Sequence, residues 1–87
     1  MTVNAAGEWL SPQEAKAAIE ALSDADEARL LSAAEFLSKI NGLDDPDGLL
    51  QEALVRALAT QRRWAKNMAA VPFLIGVMRS IGNSAAK

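Results

Sequence analysis

The side chains that could perform chemistry in this 87-residue chain are carboxylates and cations, because the sequence contains neither histidine nor cysteine. Without these two residues, nucleophilic triads built on them cannot form, and zinc loses its usual nitrogen and sulfur ligands. The sequence also lacks a glycine-rich phosphate loop. We therefore expect a protein that is not an enzyme and that holds no metal and no cofactor.

The densest group of carboxylates is formed by Asp44, Asp45 and Asp47. A paired-carboxylate site or a calcium loop is one interpretation, but a calcium loop needs a bidentate Glu at its twelfth position, which is missing here. Asp45 directly before Pro46 is typical of a helix N-cap followed by proline at the first helical position. We interpret the cluster mainly as a helix start.

Gln51, Glu52 and Arg56 form a second polar group on the helix that follows. Glu52 precedes Arg56 by four residues, the favourable order for a surface ion pair worth about 0.3–0.5 kcal/mol. The alternative is that this group forms a surface recognised by a partner. In that case the polar residues face solvent while Leu50, Leu54, Ala57 and Leu58 point inward, with Leu49 and Ala53 beside them.

A basic cluster, Arg62, Arg63, Trp64 and Lys66, follows that helix, and Arg79 lies further along the chain. One interpretation is a set of phosphate contacts, with the Trp64 ring stacking on a base or filling a partner's groove. The other is that the cations complement the C-terminal dipole of the helix while Trp64 packs at the edge of the bundle. The net charge of −2 argues against a surface that attracts nucleic acid everywhere.

The apolar periodicity predicts an all-α fold, a compact bundle of four short helices in a single domain spanning residues 1–87. The predicted helix starts are Ser11, Ser23 or Asp24, Asp45, and the vicinity of Pro72. The predicted ends are Leu22, Asn41–Gly42, about Gln61, and Gly82–Asn83. The predicted inner faces of the second and fourth helices are Leu30, Ala33, Ala34, Leu37 and Ile40, and Phe73, Leu74, Val77, Met78 and Ile81. Residues 1–8 and 84–87 are expected to fray.

The longest apolar run, Val71–Met78, is too short to span a bilayer, and the N-terminus lacks a signal-peptide pattern. We therefore expect a soluble, cytoplasmic protein with no membrane partner. Trp9 and Leu10 precede the first cap, and one of them is expected to fold back as a hydrophobic staple.

Together these features resemble region two of the bacterial sigma-70 family of RNA polymerase sigma factors, especially the extracytoplasmic-function type. The third predicted helix carries Leu49-Leu50-Gln51-Glu52 and then Arg56-Ala57, which match the family's Leu-x-Gln-Glu and Arg-Ala positions. The family's leading Asp is replaced by Gly48, with Asp47 just before it. The resemblance covers residues 24–84, and the family's C-terminal helix-turn-helix domain is absent.

The resemblance implies a stand-alone region-two-like protein that binds RNA polymerase, with DNA as a weaker partner. It implies polymerase contacts at Asp47, Gln51, Glu52 and Arg56 and nucleic-acid contacts at Arg62, Arg63, Trp64, Lys66 and Arg79. The alternative is a small helical interaction or structural module without a nucleic-acid role, which as a homodimer or other homo-oligomer would pair its Leu- and Ala-rich faces.

Overall fold

The computed structural model describes residues 9–59 and 63–85, and this part of the chain folds as a bundle of four helices. They are α1 (Pro12–Glu20), α2 (Asp24–Ile40), α3 (Pro46–Leu58) and α4 (Ala70–Ala85). Helices α2, α3 and α4 pack against one another in all three pairs, and α1 packs against α3. The predicted all-α bundle is therefore confirmed, with α1 placed as a brace on a three-helix unit.

Side-chain caps start the first three helices where the sequence predicts them. Ser11 Oγ accepts from the Glu14 amide at 3.1 Å, and Glu14 Oε1 accepts from the Ser11 amide at 2.8 Å. Ser23 and Asp26 form the same reciprocal box at the start of α2, so that Ser23 rather than Asp24 is the cap. Asp45 caps α3 through its carboxylate. Each box satisfies amide donors that the helix itself leaves unpaired.

Two predicted helix ends agree closely with the structure, and a third is only partly described. Helix α2 ends at Ile40, with Asn41 as its cap and Gly42 at a φ of 71°, a left-handed conformation that favours glycine. Helix α1 ends at Glu20, two residues before the predicted Leu22. Helix α3 ends at Leu58, and the predicted end near Gln61 lies outside the described residues.

The predicted end of α4 at Gly82–Asn83 is wrong, because the helix continues through Ala85. It also begins at Ala70, two residues before Pro72. Gly82 is buried, and a Cβ on it would lie 2.8 Å from the Asn41 side-chain nitrogen. That nitrogen donates to the Leu37 carbonyl at 2.9 Å. The glycine therefore permits close approach of α4 to the end of α2 and does not terminate the helix.

The inner face of α3 is rotated from the predicted one. The buried residues are Leu49, Ala53 and Ala57, whereas Leu50 and Leu54 are only half-buried. The predicted inner residue Leu58 is exposed. Alanines on the inner face allow helix axes to approach more closely than leucines would, which favours this rotation.

The predicted stripe of α2 is correct at Leu30, Ala34 and Leu37 but wrong at Ile40, which is 60 % exposed. Phe36, one turn before it, is 63 % exposed. On α4, the predicted Phe73, Leu74, Val77 and Met78 are all buried, and Ile81 packs against them. None of the helices within the described ranges is long and apolar enough to cross a membrane.

Replacing Ser23 by Ala should lower the free energy of unfolding by about 1 kcal/mol, because the Asp26 amide loses its acceptor. For a domain of this size the loss corresponds to a fall in Tm of roughly 4–8 °C, measurable by circular dichroism. Ser32→Ala makes the same chemical change at an exposed position inside α2. That control should leave Tm unchanged or slightly raised, and an equal fall in both variants would contradict the capping role.

Candidate partner surface and basic loop

The polar residues of α3 lie on its outer side, as predicted. Gln51 and Glu52 are exposed, while Leu49, Ala53 and Ala57 on the opposite side are buried. Glu52 Oε2 accepts from Arg56 Nε at 3.0 Å, so the predicted surface ion pair forms. Both side chains keep nearly half of their surface exposed, which leaves the pair available to a partner.

A groove lies beside this face, between α3 and the first two helices, with a volume of about 340 Å³. Its polar lining consists of Glu27, Asp47 and Gln51, so two of the predicted partner residues meet here. Leu50 and Leu54, which the periodicity predicts as core, line this groove. The apolar floor is completed by Ile19, Leu22, Leu30 and Leu31.

The acidic cluster before α3 serves as a helix start. Asp45 Oδ1 accepts from the Gly48 amide at 3.0 Å, while Asp44 and Asp47 are exposed. Within residues 9–59 and 63–85, no group of three carboxylates is arranged to hold a metal ion. The geometry therefore favours the capping interpretation over a carboxylate site.

Trp64 is a core residue and not a surface platform. Its side chain is 3 % exposed, and its ring stacks on Phe73 with centroids 4.5 Å apart and planes 8° apart. The indole Nε1 donates to the Met68 carbonyl at 2.9 Å. A base cannot reach this ring, so the structure favours the prediction that Trp64 packs in the bundle over the prediction that it stacks on nucleic acid.

The remaining basic residues that the structure describes, Arg63, Lys66 and Arg79, are all exposed. The Arg63 guanidinium lies 5.5 Å from the centre of the Trp9 ring, and Lys66 Nζ lies 3.8 Å from Glu14 Oε2. Arg79 is exposed on α4 and forms no ion pair with a described residue. Arg62 lies outside the described residues.

Sequence reasoning missed the pairing of Trp9 and Leu10 with this loop. The Leu10 amide donates to the Trp64 carbonyl at 2.8 Å, and Trp9 forms an isolated antiparallel bridge with Ala65. No local sequence pattern predicts this contact, because it joins segments more than fifty residues apart in the chain. The one available signal was an aromatic residue just before a cap, which predicted a staple within α1.

The fold lowers the pKa of the Glu14 carboxylate below its ordinary value. The Ser11 amide, which donates to the carboxylate, lowers the pKa of Glu14 most. Desolvation, the next largest effect, raises this pKa, and Lys66 and the Ser11 hydroxyl lower it further. Hydrogen bonds and a nearby cation favour the charged form, so the side chain prefers to cap α1 as a carboxylate.

Replacing Trp64 by Ala should lower the free energy of unfolding by about 3–5 kcal/mol, because the stack on Phe73 and the buried volume are both lost. Trp64→Phe keeps a ring in the core and removes the bond to Met68, which should cost about 1 kcal/mol. Urea denaturation measures both changes. If Trp64→Ala were nearly neutral, the core assignment of this residue would be wrong.

The lowered pKa of Glu14 predicts a stability that depends on pH. The charged carboxylate stabilises the fold above the ordinary Glu pKa of about 4.3, and this stabilisation is lost as pH falls through the lower folded value. Glu14→Gln keeps a capping side chain without a titrating group. Between about pH 5 and pH 3, Tm should fall less steeply in the variant than in the parent. Parallel Tm profiles would contradict this assignment.

No protein-family model matches the chain, and neither does any curated protein or solved structure.

Proposed function

We propose that this chain is a sigma region-two-like module that binds RNA polymerase through the outer side of α3. The observation that carries the proposal is that α3 has separate buried and solvent-exposed sides. Leu49, Ala53 and Ala57 supply its packing, whereas the Gln51-Glu52 pair of the sigma-like motif is exposed. Because the Gln51 and Glu52 side chains do not take part in the packing of α3, they remain available for recognition by a partner.

The groove beside α3 supports the same surface. An apolar floor with a polar rim resembles the anatomy of protein interfaces, in which buried apolar contacts are surrounded by polar ones. Glu27 and Asp47, the two ionisable side chains of the rim, are both acidic. A partner that presents apolar side chains flanked by Lys or Arg is therefore complementary to it.

Nucleic acid is the secondary partner in this proposal. Arg63, Lys66 and Arg79 are exposed cations that can contact phosphates. With Trp64 in the core, the described part of the loop offers charge without the base platform expected there. Contacts of this kind give weak, salt-dependent and sequence-independent binding.

One observation favours the alternative of an interaction module without a role in transcription. Phe36 and Ile40 are exposed one turn apart on α2 and form an apolar strip away from the sigma-like motif. Exposed aromatic and aliphatic side chains next to each other are typical of protein contact sites. Under this alternative, polymerase binding is absent and association depends on α2.

Exchanging the two charges of α3 tests the proposal directly. The double variant Glu52→Arg, Arg56→Glu keeps an i,i+4 pair and the net charge but reverses the pattern shown to a partner. Parent protein should retain purified core RNA polymerase in a pull-down, and the variant should bind about tenfold more weakly, a loss of about 1.4 kcal/mol. Circular dichroism should show an unchanged fold.

The matched control is Glu35→Lys, Lys39→Glu on α2. Both residues are exposed, and they have the same spacing and order of charge as the α3 pair. This variant should bind polymerase as well as the parent does. Equal binding by both double variants, or no binding by the parent, would refute the polymerase-binding role.

A further inference from the structure

The N-terminal residues Trp9, Leu10 and Glu14, here called the latch, cover the basic loop formed by residues 63–66. Both described cations of the loop face a latch side chain: Arg63 lies over the Trp9 ring, and Lys66 lies 3.8 Å from Glu14. The backbones are joined as well, since the Leu10 amide donates to the Trp64 carbonyl at 2.8 Å. The latch thus engages the cations that a phosphate would need.

The charged contacts of the latch are individually weak. The Lys66 and Glu14 side chains remain 46 % and 50 % exposed, so water and ions can reach this pair. Exposed pairs of this kind and a single exposed cation–π contact contribute little to stability. A polyanion that offers several phosphates can therefore compete with the latch for the same two cations.

The latch also leaves a polar group unsatisfied when it is closed. Trp9 Nε1 is buried and has no hydrogen-bond partner among the described residues. A buried donor without an acceptor disfavours the state that buries it, whereas an open latch returns this donor to water. The unpaired Trp9 donor therefore raises the free energy of the closed latch and favours its opening.

We infer that the latch is an autoinhibitory element, which competes with the phosphate backbone of single-stranded nucleic acid for Arg63 and Lys66. Nucleic acid binds the loop when the latch opens, and the closed latch lowers the affinity. The inference rests on the nucleic-acid part of the proposed function. Polymerase binding is located on α3 and is measured separately.

An engineered disulfide across the Trp9–Ala65 bridge tests the inference in one polypeptide. Residues directly opposite each other in an antiparallel pair lie at a separation that suits a disulfide. The chain has no other cysteine, so Trp9→Cys, Ala65→Cys can be locked by oxidation and opened by reduction without side reactions. Mass spectrometry reports the two states, and fluorescence anisotropy with labelled oligo(dT) at low salt reports binding.

The reduced protein should bind oligo(dT) about twofold to fivefold more tightly than the oxidised protein, the range set by the exposed Lys66–Glu14 pair, because Trp9→Cys removes the cation–π contact from both forms. Higher salt should weaken the binding of both forms. Equal affinities of the oxidised and reduced proteins would overturn the inference. So would a failure of both forms to bind oligo(dT).

A second pair of variants tests the latch without cysteines. Glu14→Gln removes the charge that faces Lys66 and retains a side chain able to cap α1. Glu20→Gln removes the same charge from an exposed position elsewhere on α1. Glu14→Gln should bind oligo(dT) more tightly than Glu20→Gln, and Lys66→Gln should bind more weakly than the parent.

Equal affinities of the two glutamine variants would overturn the inference. The outcome is separable from that of the proposed function, because the latch variants leave α3 unaltered. A latch effect on oligo(dT) together with absent polymerase binding would refute the polymerase role and retain the latch. Polymerase binding without any latch effect would do the reverse.

Discussion

The stack of Trp64 on Phe73 is the contact on which the rest of the arrangement depends. It fixes the segment after α3 to the first turns of α4, while Trp64 Nε1 closes the connection onto the Met68 carbonyl. The Trp64 carbonyl accepts a hydrogen bond from the Leu10 amide, which brings the start of α1 to this end of the bundle. Trp64 and Phe73 are the aromatic members of a buried core that otherwise consists of alanine, leucine, valine and methionine. Three parts of the chain therefore share one anchor.

The small side chains on the inner face of α3 explain why the molecule has a surface groove. Because Ala53 and Ala57 are buried, the larger Leu50 and Leu54 turn toward α1 and remain half-buried. Helix α1 then covers the leucines incompletely and leaves the opening that Asp47 and Gln51 border. The groove is thus a consequence of how alanine and leucine are distributed around one helix, and it places apolar and acidic groups side by side.

The sequence predicts the features that depend on neighbours along the chain and misses those that depend on distant ones. Caps at Ser11, Ser23 and Asp45 follow from short motifs, since each cap is made within four residues. The rotation of α3 and the burial of Trp64 depend on which helix packs opposite, which periodicity alone does not determine. Gly82 shows the same limit, because its role is set by Asn41 on another helix. For the candidate site, exposure of Gln51 and Glu52 was predictable, and the Trp9 contact was not.

The intrahelical pairing of Glu52 with Arg56 determines the electric field that this face presents to a partner. A paired carboxylate and guanidinium present almost no net charge at a distance, so the ridge acts as a local dipole whose field decays quickly. Long-range attraction of a cationic partner would come instead from Glu27 and Asp47 at the groove. Added salt should therefore lower the association rate more than it weakens the bound contact with the Glu52–Arg56 ridge. Glu27 and Asp47 would then set the association rate, and the Glu52–Arg56 pair would set the orientation of the bound partner.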